Sequence, residues 1–292
     1  MSNPLHAGHY ADRALHTSVT VVENVPLARD TYRVRFECPE TARRIVPGQF
    51  LMLRLADRDD PLLGRPLALY DTVVSSDGEP YGIDVVYLVM GKMTRELAGF
   101  RPGQKLDVWG PLGNGFAPAN SLDGDLVMVA GGIGQTPFMA LAREALGKRG
   151  YGDPVRSLPS PAGKVTFCYG VRSADYFAGV EDFRQLGVDV RLSTDDGTLG
   201  HHGLVTDLLR KALDESPRAR VVCCGPEPMM EAVAEICQQA KVGCQVSLET
   251  PMACGIGICF SCVARVLDDT GEWDYKRTCV EGPVFDAERI AW

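Results

Sequence analysis

Four cysteines in the pattern Cys254-x4-Cys259-x2-Cys262-x16-Cys279 constrain this chain more than any other feature. Three thiols sit in one short loop and a fourth closes from a distance. A [2Fe–2S] cluster takes two thiolates on each iron, and this spacing supplies them. Gly255 and Gly257 lie inside the loop, where positive φ lets backbone amides approach the sulfurs. A structural zinc site is the alternative reading. Zinc sites usually show two short-spaced pairs, whereas here three ligands cluster and one is remote. Cys254, Cys259, Cys262 and Cys279 are therefore the expected metal ligands. The other six cysteines are expected to be buried apolar residues.

The 292 residues allow two domains with room for a small third. Net charge is −8 and the pI about 5.2, which argues against nucleic acid and anionic membrane surfaces as partners. No run of 18 apolar residues occurs, so no membrane span is expected. Residues 1–16 are polar, carry three of the five histidines and lack the apolar core of a signal peptide. They read as a flexible arm, and the protein as cytoplasmic. Thiols stay reduced there, so ten cysteines do not imply a disulfide framework.

Residues 17–118 read as a small antiparallel β-barrel. Short strand-like runs at Ser18–Glu23, Thr31–Glu37, Gln49–Leu55, Ile83–Met90 and Lys105–Trp109 alternate with Pro, Gly and Asp turns, and one helix is expected at Met93–Ala98. Residues 119–243 alternate strand and helix, which implies a parallel sheet with right-handed crossovers. Tyr151–Gly163, rich in Pro, Gly and Ser, reads as a surface loop within that domain. Residues 244–292 are too few to bury much core unaided, so a metal centre would staple them. The expected fold class is thus multidomain β plus α/β: a barrel, a parallel-sheet nucleotide-binding domain and a C-terminal iron–sulfur domain.

Strand Asp125–Ala130 runs into Gly131-Gly132-Ile133-Gly134-Gln135-Thr136-Pro137 and then a helix. Glycines there let backbone amides close on a pyrophosphate at the helix N-terminus. Pro137 stands where the third glycine of a full dinucleotide fingerprint would be, and a plain tight turn remains the alternative. Cys224-Gly225-Pro226 ends the last strand and would face the same crevice, since ligands bind beyond the carboxyl ends of such strands. The alternative is a strand end with core cysteines. Arg65-Pro66, between barrel strands, offers a guanidinium fork for a phosphate. A solvated surface charge is the plain reading of a lone arginine.

Arg-Pro-x-x-x-Tyr (65–70), Gly-Pro-Leu-Gly-Asn-Gly-Phe (110–116), Gly-Gly-Ile-Gly-Gln-Thr-Pro (131–137), Cys-Gly-Pro (224–226) and the terminal cysteines occur in that order. This pattern resembles the ferredoxin-reductase superfamily. Met252-Ala253-Cys254-Gly255-Ile256-Gly257, with Tyr275–Cys279 and Glu281–Phe285, resembles more closely the electron-transfer subunits of class 1B dihydroorotate dehydrogenase. The likeness covers about 18–292. It implies FAD in the barrel, held by Arg65, Pro66, Leu67 and Ala68, by Val86, Tyr87 and Leu88, and by Met93 and Thr94. It implies NAD at Gly132, Gly134, Thr136, Cys224, Gly225 and Pro226, with Cys224 near the nicotinamide. It also implies a partner subunit that holds FMN and oxidises dihydroorotate in pyrimidine biosynthesis, assembled as a heterotetramer. The family usually carries Ser at 68, Arg at 88 and Gly at 93. Ala68, Leu88 and Met93 remove a hydroxyl and a cation and crowd one backbone approach, each expected to cost about 1–3 kcal/mol of FAD binding if uncompensated. Two rival readings follow: a subunit of an electron-bifurcating ferredoxin:NADP reductase or sulfide dehydrogenase, and a redox-sensing metal protein without flavin. Arg172 and Ser173 could meet a 2′-phosphate, which leaves NAD against NADP open.

Overall fold

The computed structural model describes residues 11–118, 124–156 and 161–292. Its first part is a closed barrel of β1 (Leu15–Ala28), β2 (Thr31–Glu37), β3 (Phe50–Leu55), β4 (Arg65–Val74), β5 (Pro80–Leu88) and β6 (Lys105–Leu112), in the order β1-β2-β5-β4-β3-β6. Val34, Phe36, Leu51, Leu53, Leu55, Leu69, Ile83, Val85 and Tyr87 fill its core. Most alternate along their strands, as a barrel interior demands. Two helices flank it, α1 (Pro39–Arg44) and α2 (Lys92–Ala98).

In the barrel, two features differ from the sequence expectation. Residues 1–10, most of the expected arm, lie outside the described residues. A 3-10 turn occupies Ala11–Arg13 and β1 already begins at Leu15, pairing Leu15 with Gly110 and His16 with Trp109. The second difference matters more. The Arg-Pro motif, expected between strands, is itself the start of β4. Its Arg65–Ala68 half pairs only with β3, and its Leu69–Val74 half only with β5. At the far end of β5, Val86–Leu88 pair with β2 and not with β4. A proline has no N–H for a ladder, and Pro66 is tolerated because one edge of the strand is free there. The partner switch leaves main-chain edges of Arg65–Ala68 and Val86–Leu88 unpaired.

The second part is a sheet of β7 (Leu126–Gly131), β8 (Val165–Val171), β9 (Asp189–Thr194), β10 (His201–His202) and β11 (Arg220–Cys224), all parallel, with α3 (Phe138–Ala145), α4 (Val180–Gln185), α5 (Val205–Glu215) and α6 (Glu227–Ala240). Leu126–Ala130 are apolar throughout and buried, as a strand covered on both faces must be. Tyr151, expected in a surface loop, is buried against the barrel core, while residues 157–160 of that stretch lie outside the described residues.

The sheet runs past the boundary expected at 243. β12 (Cys244–Ser247) lies parallel to β11, and β15 (Val284–Asp286) antiparallel to β12. The segment between them carries one hairpin, β13 (Val263–Leu267) and β14 (Trp273–Arg277). Too short to build its own core, it leans on the barrel: Phe50, Met52 and Leu112 pack against Cys262, Cys279 and Val280. No helix among the described residues is long and apolar enough to cross a membrane.

Candidate functional site

The four cysteines come together as two pairs. Cys254 and Cys259 Sγ lie 3.3 Å apart, and Cys262 and Cys279 are buried together in one cluster with Val280. Among the described residues no three Cys, His, Asp or Glu side chains converge as the ligands of a single ion would. Two thiol pairs suit two irons, so the donor set fits a [2Fe–2S] cluster better than a mononuclear zinc site.

The loop holds its shape through glycines. Gly255 and Gly257 have φ of +74° and +82°, and a Cβ on Gly255 would come within 2.6 Å of Met52. Arg277 fastens the loop from β14, donating to the Gly257 carbonyl at 2.9 Å and lying over the Phe260 ring at 4.9 Å. Trp109 of the barrel donates its indole N–H to the Cys254 carbonyl at 2.9 Å. The Ser261 hydroxyl, 3.1 Å from Cys259 Sγ, pulls that thiol down to about 6. The Cys262–Cys279 contact draws Cys262 down to about 6 and pushes Cys279 up. The downward shifts of Cys259 and Cys262 both favour the thiolate, the form that binds iron.

A cavity of about 540 Å³ opens where β4 changes partner. Arg65, Pro66, Leu67 and Ala68 form one wall, and Val86, Tyr87 and Leu88 another. Thr94 also lines it, and its hydroxyl accepts from the Met90 and Gly91 amides at 3.0 and 3.1 Å, capping α2. Arg65 Nη1 donates only to the Leu63 and Gly64 carbonyls, at 3.1 and 3.0 Å. Its charge has no carboxylate partner among the described residues and is free for an anion. The strand edges left without a partner place main-chain groups beside Ala68 and Leu88. Met93 does not line the cavity. It is 1% exposed and packed in the barrel core, so it crowds no backbone approach. Tyr87 also turns its ring inward, its hydroxyl donating to Asn24 at 3.0 Å.

The far wall comes from the nucleotide-binding sheet: Ile133, Thr136 and Pro137, Cys224, and Ser247–Pro251. Burial pushes the Cys224 thiol well up, and nearby Glu249 adds to it. Burial likewise raises the Glu249 carboxyl. Sequence reasoning missed Ser247, Leu248, Thr250 and Pro251 because β12 went unrecognised. Placing that strand would have put them at a carboxyl end, where ligands bind.

A second cavity, of about 720 Å³, lies over the carboxyl ends of β7, β8, β9 and β11. Gly132, with φ +56° and open space where a Cβ would point, lines it, as do Pro226, Arg172, Ser193 and Asp195. Gly134 does not. It is buried, and a Cβ there would collide with the Cys224 carbonyl, so it is a packing glycine. Gly225, with φ +155°, lines neither cavity. A Cβ there would lie 2.9 Å from the Gly131 amide, so it lets the two loops touch. Thr136 and Cys224 face the first cavity instead of the second. The Ser173 hydroxyl is held by Asp175 at 2.5 Å, away from the second cavity. Leu88 and Ile133 belong to both walls, so the two cavities abut.

Comparison with known proteins matches this arrangement part by part. Residues 18–116 match an oxidoreductase FAD-binding domain, 128–235 an oxidoreductase NAD-binding domain, and 249–291 the iron–sulfur cluster binding domain of dihydroorotate dehydrogenase B. The dihydroorotate dehydrogenase B (NAD(+)) electron transfer subunit of Desulforamulus reducens is 35% identical over 268 residues, 91% of this chain and 94% of that protein. Its counterpart in Bacillus velezensis is 35% identical over 276 residues, 94% and 98% of the two chains. Among solved structures, one of an NADH-dependent reduced ferredoxin-NADP oxidoreductase superposes with a TM-score of 0.75 at 28% identity, covering 94% of this chain and 90% of that one. With FAD-binding, NAD-binding and iron–sulfur domains in this order, the chain belongs to the family of electron transfer subunits of dihydroorotate dehydrogenase B.

Proposed function

We propose that this chain passes electrons between NAD and a dihydroorotate-oxidising, FMN-containing partner, through FAD in the barrel cavity and a [2Fe–2S] cluster on Cys254, Cys259, Cys262 and Cys279. FAD supplies the change from two-electron hydride chemistry to single electrons. The protein's part is placement. Arg65, the β4 and β5 edges and Thr94 would hold the flavin, while Gly132 and Pro226 border the nicotinamide nucleotide. Cys224 sits on the flavin side of their junction.

One observation carries this reading. Phe50 lines the flavin cavity and also packs beside Cys262 and Cys279, while the nucleotide cavity abuts the flavin cavity at Leu88 and Ile133. Cofactors held at these places would lie in sequence, with Phe50 shared between flavin and cluster. The relatives' names support the partner. A cytoplasmic assembly of two copies of each subunit, acting in pyrimidine biosynthesis, completes the proposal, with the barrel ending near 118 and the cluster segment, Leu248–Pro283, inserted between β12 and β15 of the nucleotide-binding sheet.

The test is anaerobic purification of the natural complex with absorption spectra and EPR after dithionite. FAD, an axial [2Fe–2S] signal and a co-purifying dihydroorotate-oxidising subunit are expected. A colourless zinc-loaded protein overturns the reading. Arg172 in the nucleotide cavity favours a second reading, an NADP-linked bifurcating subunit. Co-purification of a large multi-cluster subunit would select it.

A further inference from the structure

The barrel and the nucleotide-binding sheet are tied by a buried carboxylate. The β4–β5 register slips between Leu69 and Asp71, and a slip of this kind re-aims side chains. Leu69 points into the barrel core, while Tyr70 and Asp71 both turn toward the nucleotide sheet. Tyr70 donates to Asp182 of α4 at 3.0 Å. Asp71 is 6% exposed. It accepts hydrogen bonds from Arg149 at 2.9 Å and the Tyr151 hydroxyl at 2.7 Å, and lies 2.6 Å from Arg143 Nε of α3, an ion pair without a hydrogen bond. Arg149 also donates to the Thr72 carbonyl at 2.5 Å. Two cations and a phenol from one unit converge on one anion of the other.

The two elements joined are those that wall the cofactors. Asp71 lies on the strand whose start, Arg65–Ala68, lines the flavin cavity. Arg143 lies on the helix that follows Ile133, Thr136 and Pro137, which form the opposite wall. Strand and helix are stiff, so a contact at one end sets the approach at the other. An anion held by several donors is fixed in orientation as well as distance, and hydride transfer is sensitive to displacements near 1 Å.

We propose that Asp71 is a positioning residue for hydride transfer: through Arg143 and Arg149 it holds the nicotinamide-side loop at reacting distance from the flavin-side strand. This rests on the NAD–flavin reading above. The experiment is stopped-flow reduction of bound flavin by NADH in the holoenzyme, comparing wild type with Asp71→Asn and Asp71→Glu. Asp71→Asn should slow flavin reduction at saturating NADH by about tenfold or more, with KM within about twofold and FAD and iron contents retained. Asp71→Glu, which keeps the charge, should recover most of the rate. An Asp71→Asn enzyme as fast as wild type overturns the proposal. So does one whose rate falls only in step with lost flavin, since that is a structural role. Should Asp71→Asn fail to fold, Arg149→Gln decides on the same readouts. A wild-type holoenzyme that NADH does not reduce overturns the underlying reading instead, and is recognised before any variant is compared.

Discussion

Toward the nucleotide-binding sheet the barrel presents Tyr70, Asp71 and the Phe116 carbonyl. It meets Asp182, Arg143, Arg149 and Arg156 there. Toward the cluster segment it presents Phe50, Met52 and Leu112 and meets Cys262, Cys279 and Val280. The second junction adds neutral hydrogen bonds: the Trp109 indole donates to the Cys254 carbonyl at 2.9 Å and the Asn114 amide to the Gly282 carbonyl at 2.7 Å. The first junction adds directional ion pairs to apolar packing such as Phe116 against Phe138; the second is apolar and close-packed without them. Hydride transfer needs two rings aligned at contact, and directional ion pairs specify alignment. A single electron needs only a dry, unbroken path, which packing provides.

The contrast can be broken from either side. The largest effect should come from Glu144→Gln. Glu144 is fully buried on α3 and accepts from Arg156 at 3.0 and 2.5 Å, and Arg156 in turn donates to the Phe116 carbonyl at 2.7 Å. Removing the carboxylate strands a largely buried guanidinium, at a cost of about 3–5 kcal/mol in denaturant unfolding. On the other side Met52→Ala should cost about 2–4 kcal/mol by opening a cavity under the cluster loop. Its effect should be the same at low and high salt, since no charge is involved.

The smallest effect concerns pH. Glu23 is held below its ordinary value by its hydrogen bond to Arg33, a residue bordering the charged junction. Its folded pKa is lowered, so its contribution is present above 4.5 and lost as pH falls through the folded value. The stability gap between wild type and Glu23→Gln should therefore exist at neutral pH and close on acidification. Asp71 and Glu144 are shifted the other way by burial, against their arginines. A gap that widens on acidification would refute this assignment of signs.

Much of this arrangement was legible in the residues. Cysteine spacing reports local chain geometry, and the loop pairs Cys254 with Cys259. Strands Thr31–Glu37 and Leu126–Gly131 announce themselves by pattern, one alternating and one continuously apolar. β4 was hidden because Pro66 reads as a strand breaker, and only the tertiary pairing shows that its free edge faces a cavity. Met93 and Gly134 were misplaced for a related reason. Motif position gives the neighbourhood of a residue, but side-chain direction depends on helix phase and on which carbonyl lies opposite. The clamp at Asp71 was invisible because a register slip in one strand, not a motif, aims it.

β12 and β15 are hydrogen-bonded neighbours in one sheet, with everything from Leu248 to Pro283 between them. Topologically the cluster-bearing segment is the connection of a hairpin, and its two ends are about one strand spacing, near 4.8 Å, apart. It is an insertion in a nucleotide-binding fold, not a module appended to its end. A cluster-free relative could arise by shrinking that connection to a tight turn, leaving barrel, sheet and both cavities in register. Conversely, the segment cannot be trimmed from the C-terminus without taking β15, and with it the sheet's outer strand.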